Sequence, residues 1–186
     1  MMRIVAGAAG GRRLAVPAGR GTRPTTERTR EAMFSSIISL VGPLDGLRVL
    51  DLYAGSGAFG LEALSRGAAH ALLVESDAKA LAVLRRNVET VGMAGAVVRA
   101  DKVERTVAEP TLDPYDLVVA DPPYRLAAAT VDAVLASLAS NNWLRRDALV
   151  VVERSTRSAA LTWPDGIERI RERRYGEGRL WYGRSL

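Results

Sequence analysis

The chain has no cysteine, one histidine and only two lysines among its 186 residues. Without cysteine there is no disulfide, no thiolate metal site and no cysteine nucleophile. The single histidine, His70, stands before the apolar run "ALLV" and reads as the start of a strand. No Ser/His/Asp set or histidine-based metal site can be built around it. No apolar run approaches the ~18 residues of a membrane span, and "MMRIVAGAAGGRR" lacks the core of a signal peptide. A soluble cytoplasmic protein is expected.

Basic charge is present, almost all of it as arginine. Net charge is +5 and Lys79 and Lys102 are the only lysines. Arginine in place of lysine follows mainly from GC-biased coding, but the positive excess still points to a polyanionic partner. Hydrophobic residues make up 48% of the chain, enough for one core, and the length suits one domain.

Two regions differ in pattern. "RIVAG" (3–7) and "RRLAV" (12–16) suggest a hairpin around "AAGG". A helix should start near Thr25 or Thr26, with Met33, Phe34, Ile37, Ile38 and Val41 on its apolar face. From residue 47 strands and helices alternate. Strands are predicted at 47–53, 71–75, 96–100, 115–120 and 148–153. Helices are predicted at 57–66, from Ser76 or Asp77 to Val91, at 102–109 and at 126–139. The tail (167–183) reads as a hairpin around "GEG". This alternation implies an α/β fold, a parallel sheet with helices on both faces. The expected division is an extension over 1–42 and a catalytic domain over 43–186.

"DLYAGSGAFG" (51–60) joins the first strand of this series to its helix, with Gly55, Gly57 and Gly60 at G-x-G-x-x-G spacing. Such a loop lets a ligand approach the backbone at a helix N-terminus. Glu75 ends the next strand, where its carboxylate can accept two ribose hydroxyls. Asp51 argues against a dinucleotide, because a pyrophosphate would lie beside a carboxylate. Beside an ammonium, or through water beside a sulfonium, Asp51 is well placed. S-adenosylmethionine combines those cations with a carboxylate and a ribose. Asp101 then suits the adenine amino group, though it serves equally as a cap for 102–109.

"DPPY" (121–124) ends the fourth strand of the series, at the same edge of the sheet as the glycine loop. The prolines restrict the backbone, so Asp121 and the Pro122 carbonyl can be held toward the cleft as two acceptors. An exocyclic amine of a nucleobase has two donors to match, and Tyr124 can stack on the base. The amine is a poor nucleophile. Acceptors that favour a pyramidal nitrogen would aim its lone pair at a methyl donor.

"DLYAGSGAFGLEALSRGA", "VE" and "DPPY" resemble Class I S-adenosylmethionine-dependent methyltransferases acting on exocyclic amines. With "RIVAGAAGGRRLAVP" and "TRPTTERTREAMFSSI", the chain resembles the RsmD family over nearly its whole length. The resemblance implies a Rossmann-like Class I fold, mostly parallel, with an antiparallel C-terminal strand. It implies methylation of N2 of one guanine, guanine 966, in 16S ribosomal RNA, within the small subunit or its precursor, by a monomer. In this reading Asp51, Tyr53, Gly55, Ser56 and Gly57 hold the methionine part, Glu75 the ribose and Asp101 the adenine edge. Asp121, Pro122 and Tyr124 hold the guanine. Arg23, Pro24 and Thr25 fold over the cofactor, and Arg28 lies near the cleft. Arg12, Arg13, Arg20 and Arg28 are expected to grip RNA phosphate; Arg12 and Arg13 alternate, so only one should face it. Two rivals keep parts of this picture: the same chemistry on DNA adenine or another RNA, and a nicotinamide-dependent oxidoreductase on the same fold.

Overall fold

The structure, a computed structural model, describes residues 2–17 and 27–186. A short hairpin comes first, β1 (Met2–Arg3) with β2 (Arg13–Leu14), then helix α1 (Glu27–Val41). The alternating part follows: β3 (Arg48–Leu52), α2 (Ala58–Ser65), β4 (His70–Glu75), α3 (Ala78–Val91), β5 (Ala96–Ala100), α4 (Val103–Ala108), β6 (Tyr115–Ala120) and α5 (Ala128–Ser140). The chain ends with β7 (Leu144–Ser155), β8 (Ile167–Tyr175) and β9 (Gly178–Ser185). The main sheet has the order β5-β4-β3-β6-β7-β9-β8. β3 to β7 are mutually parallel where they pair, and β9 is antiparallel to both β7 and β8. The strand order turns back between β3 and β6, and a ligand cleft is expected at the carboxyl ends of those strands. No helix among the described residues is long and apolar enough to cross a membrane.

The alternating side chains of the strands fill two cores. On one face Val49, Leu73, Leu117, Val119 and Val151 pack with Phe34, Ile37, Leu61, Leu64 and Leu84. On the other, Leu50, Leu52, Val118, Ala120 and Val152 pack with Val103, Val107, Val131 and Leu135. Met2, Ile4, Ala9 and Leu14 belong to the first core, so the hairpin and the sheet share apolar contacts.

The hairpin strands are shorter than their β-type runs suggest. Ile4 N–H still donates to Arg12 O, and Gly11 N–H to Ile4 O, at 2.9 Å each, but beyond Ile4 the backbone is taken up by α2. Val5 and Ala6 N–H donate to Glu62 at 2.7 and 2.9 Å, and Ala9 N–H donates to Ser65 Oγ at 2.9 Å. β7 begins at Leu144, earlier than its apolar run, because Tyr115 N–H bonds Trp143 O at 2.9 Å and extends the pairing to β6. Asp77, one of the two cap candidates, caps α3 through Lys79 and Ala80 N–H. His70 opens β4 at the amino end, away from the carboxyl edge, with its ring near Tyr115.

Candidate active site

The loop after β3 turns through Tyr53, Gly55 and Gly57 at φ of +61°, +56° and +77°. Its glycines do different work. A Cβ on Gly57 would lie 2.3 Å from Leu84 Cδ1, and one on Gly60 2.9 Å from Leu73 Cδ2, so both permit close packing of α2. Above Gly55 the nearest atom would be 3.9 Å away, leaving its backbone open to a ligand. Tyr53 adopts a left-handed conformation that disfavours a bulky residue, a form of strain found at functional sites. Its hydroxyl donates to Glu104 at 3.1 Å, and its ring packs on the second core. Only the Tyr53 backbone therefore remains with the loop; the side chain turns to α4.

Four acids line one face of the sheet at its carboxyl edge. Asp51 pairs with Leu73 and Val119, and Val119 with Val151. Two residues beyond Leu73, Val119 and Val151 stand Glu75, Asp121 and Glu153, on the same side by strand alternation. Asp51 is buried and accepts from Gly60 N–H at 2.9 Å. Burial pushes its carboxyl up to about 7, against the Gly60 hydrogen bond and with help from the Glu75 charge. Glu75 accepts from Gly55, Ser76 and Asp77 N–H at 2.9, 2.7 and 2.8 Å, which fixes the carboxylate beside the open glycine. The surrounding protein raises the Asp121 carboxyl, and the charges of Glu153 and Asp51 raise it further. The Asp121 side chain still opens to solvent, which tempers that rise.

Asp121 N–H donates to Leu52 O at 3.3 Å, carrying the ladder one residue past β6. The chain then turns. Pro122 is buried, Leu126 N–H donates to Pro123 O at 2.8 Å, and Arg154 Nη2 donates to Leu126 O at 3.3 Å. Tyr124 is 55% exposed. Asp101 follows β5; its carboxylate accepts from Lys102 N–H at 2.8 Å and pairs with Arg105 at 3.5 Å. Asp101 thus stands at the strand tip, one residue before Lys102, which holds the N-cap position of α4 without a side-chain cap bond, so the expected cap is not formed.

The structure separates the arginines of the first thirty residues. Arg30 is buried, held by Glu62 at 3.4 Å and by the Arg3 carbonyl, so it is not available to phosphate. Arg12 donates to Val91 O at the end of α3, and Arg3 pairs with Glu27 at 3.0 Å. Arg13 and Arg28 are exposed and unpaired among the described residues. Arg20, Arg23, Pro24, Thr25 and the expected cap of α1 lie outside the described residues.

Three residues carry roles that the motifs did not signal. Glu62 gathers the hairpin backbone, Arg30 and Arg66 in the buried interior. Asn87 Nδ2 donates to Ala15 O and Ser56 O at 2.9 and 2.8 Å, tying the hairpin's exit to the glycine loop. Glu153 joins the acidic row. Its signal was available, because "ALVVVE" ends on an acid as "ALLVE" does.

The acceptor set fits a ligand that carries cations and hydroxyls. Asp51 and Asp121 are held where ionisation is unfavourable, and a nearby positive centre or N–H donor would relieve them.

A family model described as conserved hypothetical protein 95 matches residues 2–184. The ribosomal RNA small subunit methyltransferase D of Escherichia coli strain K12 is 36% identical over 177 residues, spanning 95% of this chain and 86% of the relative. The solved structure of a hypothetical protein from Thermus thermophilus is 35% identical with a TM-score of 0.80, covering 98% of each chain. Magnesium protoporphyrin IX methyltransferase of Synechocystis PCC 6803, solved with bound S-adenosylmethionine, shares the fold at 16% identity. Its TM-score is 0.64 over 84% of this chain and 79% of that one.

Proposed function

Because the chain belongs to the conserved hypothetical protein 95 family, the RsmD family of Class I methyltransferases, we propose that it methylates small-subunit ribosomal RNA on N2 of guanine 966. The methyl donor is S-adenosyl-L-methionine. The observation that carries this reading is the placement of Asp121 and Pro122 one strand away from the glycine loop and Asp51. In this reading Asp51, the Gly55 backbone, Glu75 and Asp101 hold the donor. S-adenosyl-L-methionine supplies an electrophilic methyl whose leaving group departs neutral, so no general acid is required. The Asp121 carboxylate and Pro122 carbonyl accept from the amine and orient its lone pair. Tyr124 offers an exposed ring to the base. The proton lost by the amine after attack passes to Asp121, whose raised proton affinity suits that task. The buried Asp51 sets the nicotinamide reading aside, since a pyrophosphate would meet a carboxylate there. The enzyme acts as a cytoplasmic monomer on the subunit or its precursor, with Arg13 and Arg28 toward phosphate.

The test supplies labelled donor with small subunits and their naked RNA from a strain lacking the modification, and maps the product. Label on guanine N2 at that position is expected; label on adenine, or none, contradicts the reading. In the same assay Arg13→Ala with Arg28→Ala weakens RNA binding and flattens its salt dependence while donor affinity holds. Unchanged RNA affinity removes that role for the two arginines.

Asp51 makes donor binding sensitive to pH. Its carboxyl rises from 3.8 to about 7 on folding. The protonated form therefore stabilises the free fold fully below 3.8, and this contribution is lost as pH climbs toward 7. A cationic ligand needs the ionised form. Affinity for S-adenosyl-L-methionine should increase between about pH 6 and 8, with release of a proton. Calorimetry in buffers of different ionisation enthalpy reads that proton, and Asp51→Asn abolishes its release. Affinity that falls over this range would contradict the assignment.

A further inference from the structure

β6 and β7 run parallel with Ala120 beside Val152, and one step farther Asp121 and Glu153 stand side by side. Glu153 is half-buried and makes no hydrogen bond or ion pair among the described residues. Burial raises its carboxyl, and its charge in turn raises Asp121. The neighbouring β9 leaves it room: a Cβ on Gly178 would lie 2.9 Å from Glu153 Oε1. An unpaired carboxylate at the edge of a cleft calls for a donor.

The chemistry of the three nucleobases that carry exocyclic amines separates them here. The N2 amine of guanine is flanked by N1–H, a donor. The N6 amine of adenine and the N4 amine of cytosine are flanked by unprotonated ring nitrogens, which are acceptors. The geometry points to Glu153 as the acceptor for guanine N1–H, beside the amine held by Asp121 and Pro122, and so as the residue that selects guanine. The inference rests on the guanine-N2 reading above. The same carboxylate would face the lone pair of adenine N1 or cytosine N3, which disfavours both bases as well as favouring guanine.

The test uses RNA fragments of the small-subunit site with guanine or 2-aminopurine at the target. 2-Aminopurine keeps the N2 amine but presents N1 as an acceptor. The wild-type protein should prefer guanine in kcat/KM by about a hundredfold or more, since a site built for a hydrogen bond rejects the analogue that lacks it. Glu153→Gln can donate to that nitrogen and should bring the two substrates within about tenfold. Donor affinity should stay within about twofold of wild type, and the thermal midpoint should not fall, since the change removes an unpaired, half-buried charge. Gly178→Ala crowds the carboxylate without removing it and should lower the preference too; it decides the matter if Glu153→Gln does not fold. An unaltered preference in the folded variants overturns the role of Glu153 alone. A wild-type protein that labels guanine no better than 2-aminopurine also overturns it. A wild-type protein that labels no guanine overturns the guanine-N2 reading and this inference together.

Discussion

Asp121→Ala should lose about a hundredfold or more in turnover on the RNA substrate while its affinity for S-adenosyl-L-methionine stays within about twofold of wild type. The separation follows from position. Asp121 lies past the end of β6 and opens to the cleft, whereas the groups assigned to the donor sit on β3 and β4 and in the loops after β3 and β5. Alanine removes an acceptor for the amine and the group that takes its proton, but leaves the Asp121 N–H bond to Leu52 O available to hold the turn. Asp51 loses none of its own bonds in this variant, so the donor site keeps its hydrogen-bonded carboxylates. Single-turnover rates with calorimetry of donor binding separate the two effects. Full activity in this variant would show that the amine is held elsewhere. A parallel collapse of donor binding would assign Asp121 to the cofactor instead.

Glu62→Ala should destabilise the fold by about 3–5 kcal/mol, because it strips the carboxylate from a buried ion pair. Glu62 is fully buried and Arg30 is 2% exposed. Together the Glu62 oxygens accept Val5 N–H, Ala6 N–H, Arg30 and Arg66. With alanine, two backbone donors lose their acceptors and, among the described residues, the Arg30 guanidinium keeps only the Arg3 carbonyl. A domain of ordinary stability, about 5–15 kcal/mol, would lose a large share of it. The thermal midpoint should fall on the order of 10 °C. Residues 2–17 should become sensitive to protease, since their backbone is pinned through this side chain and Ser65. Adding Arg30→Met should recover part of the loss by removing the stranded charge. A loss below about 1 kcal/mol in Glu62→Ala would mean that water reaches this pair and that the hairpin is held by apolar contacts alone.

The glycine loop, Glu75 and the D-P-P-Y turn were legible because each depends on local chemistry. A left-handed turn demands glycine, a proline pair stiffens the backbone, and an acid after an apolar run marks a strand tip. The arginines were not legible in the same way. Arg28 and Arg30 are two positions apart on one helix, yet one is exposed and the other buried against Glu62. The charge of a residue does not reveal which side of a helix meets the core until the partner across the fold is known. Tyr53 shows the same limit: the loop motif places its backbone, and only the fold shows its side chain reaching Glu104 on α4.

From its sequence alone the chain determines an alternating α/β architecture and the chemistry at the strand tips, because buried parallel strands need continuous apolar runs and polar residues among them stand out at the ends. Only the tertiary structure decides that β6 lies beside β3 and β7 beside β6, bringing Asp51, Asp121 and Glu153 onto one face, and that Glu62 is spent on holding the hairpin. Strand order and helix docking join residues dozens to a hundred positions apart, and those pairings are set by the burial of whole surfaces, which no short motif records.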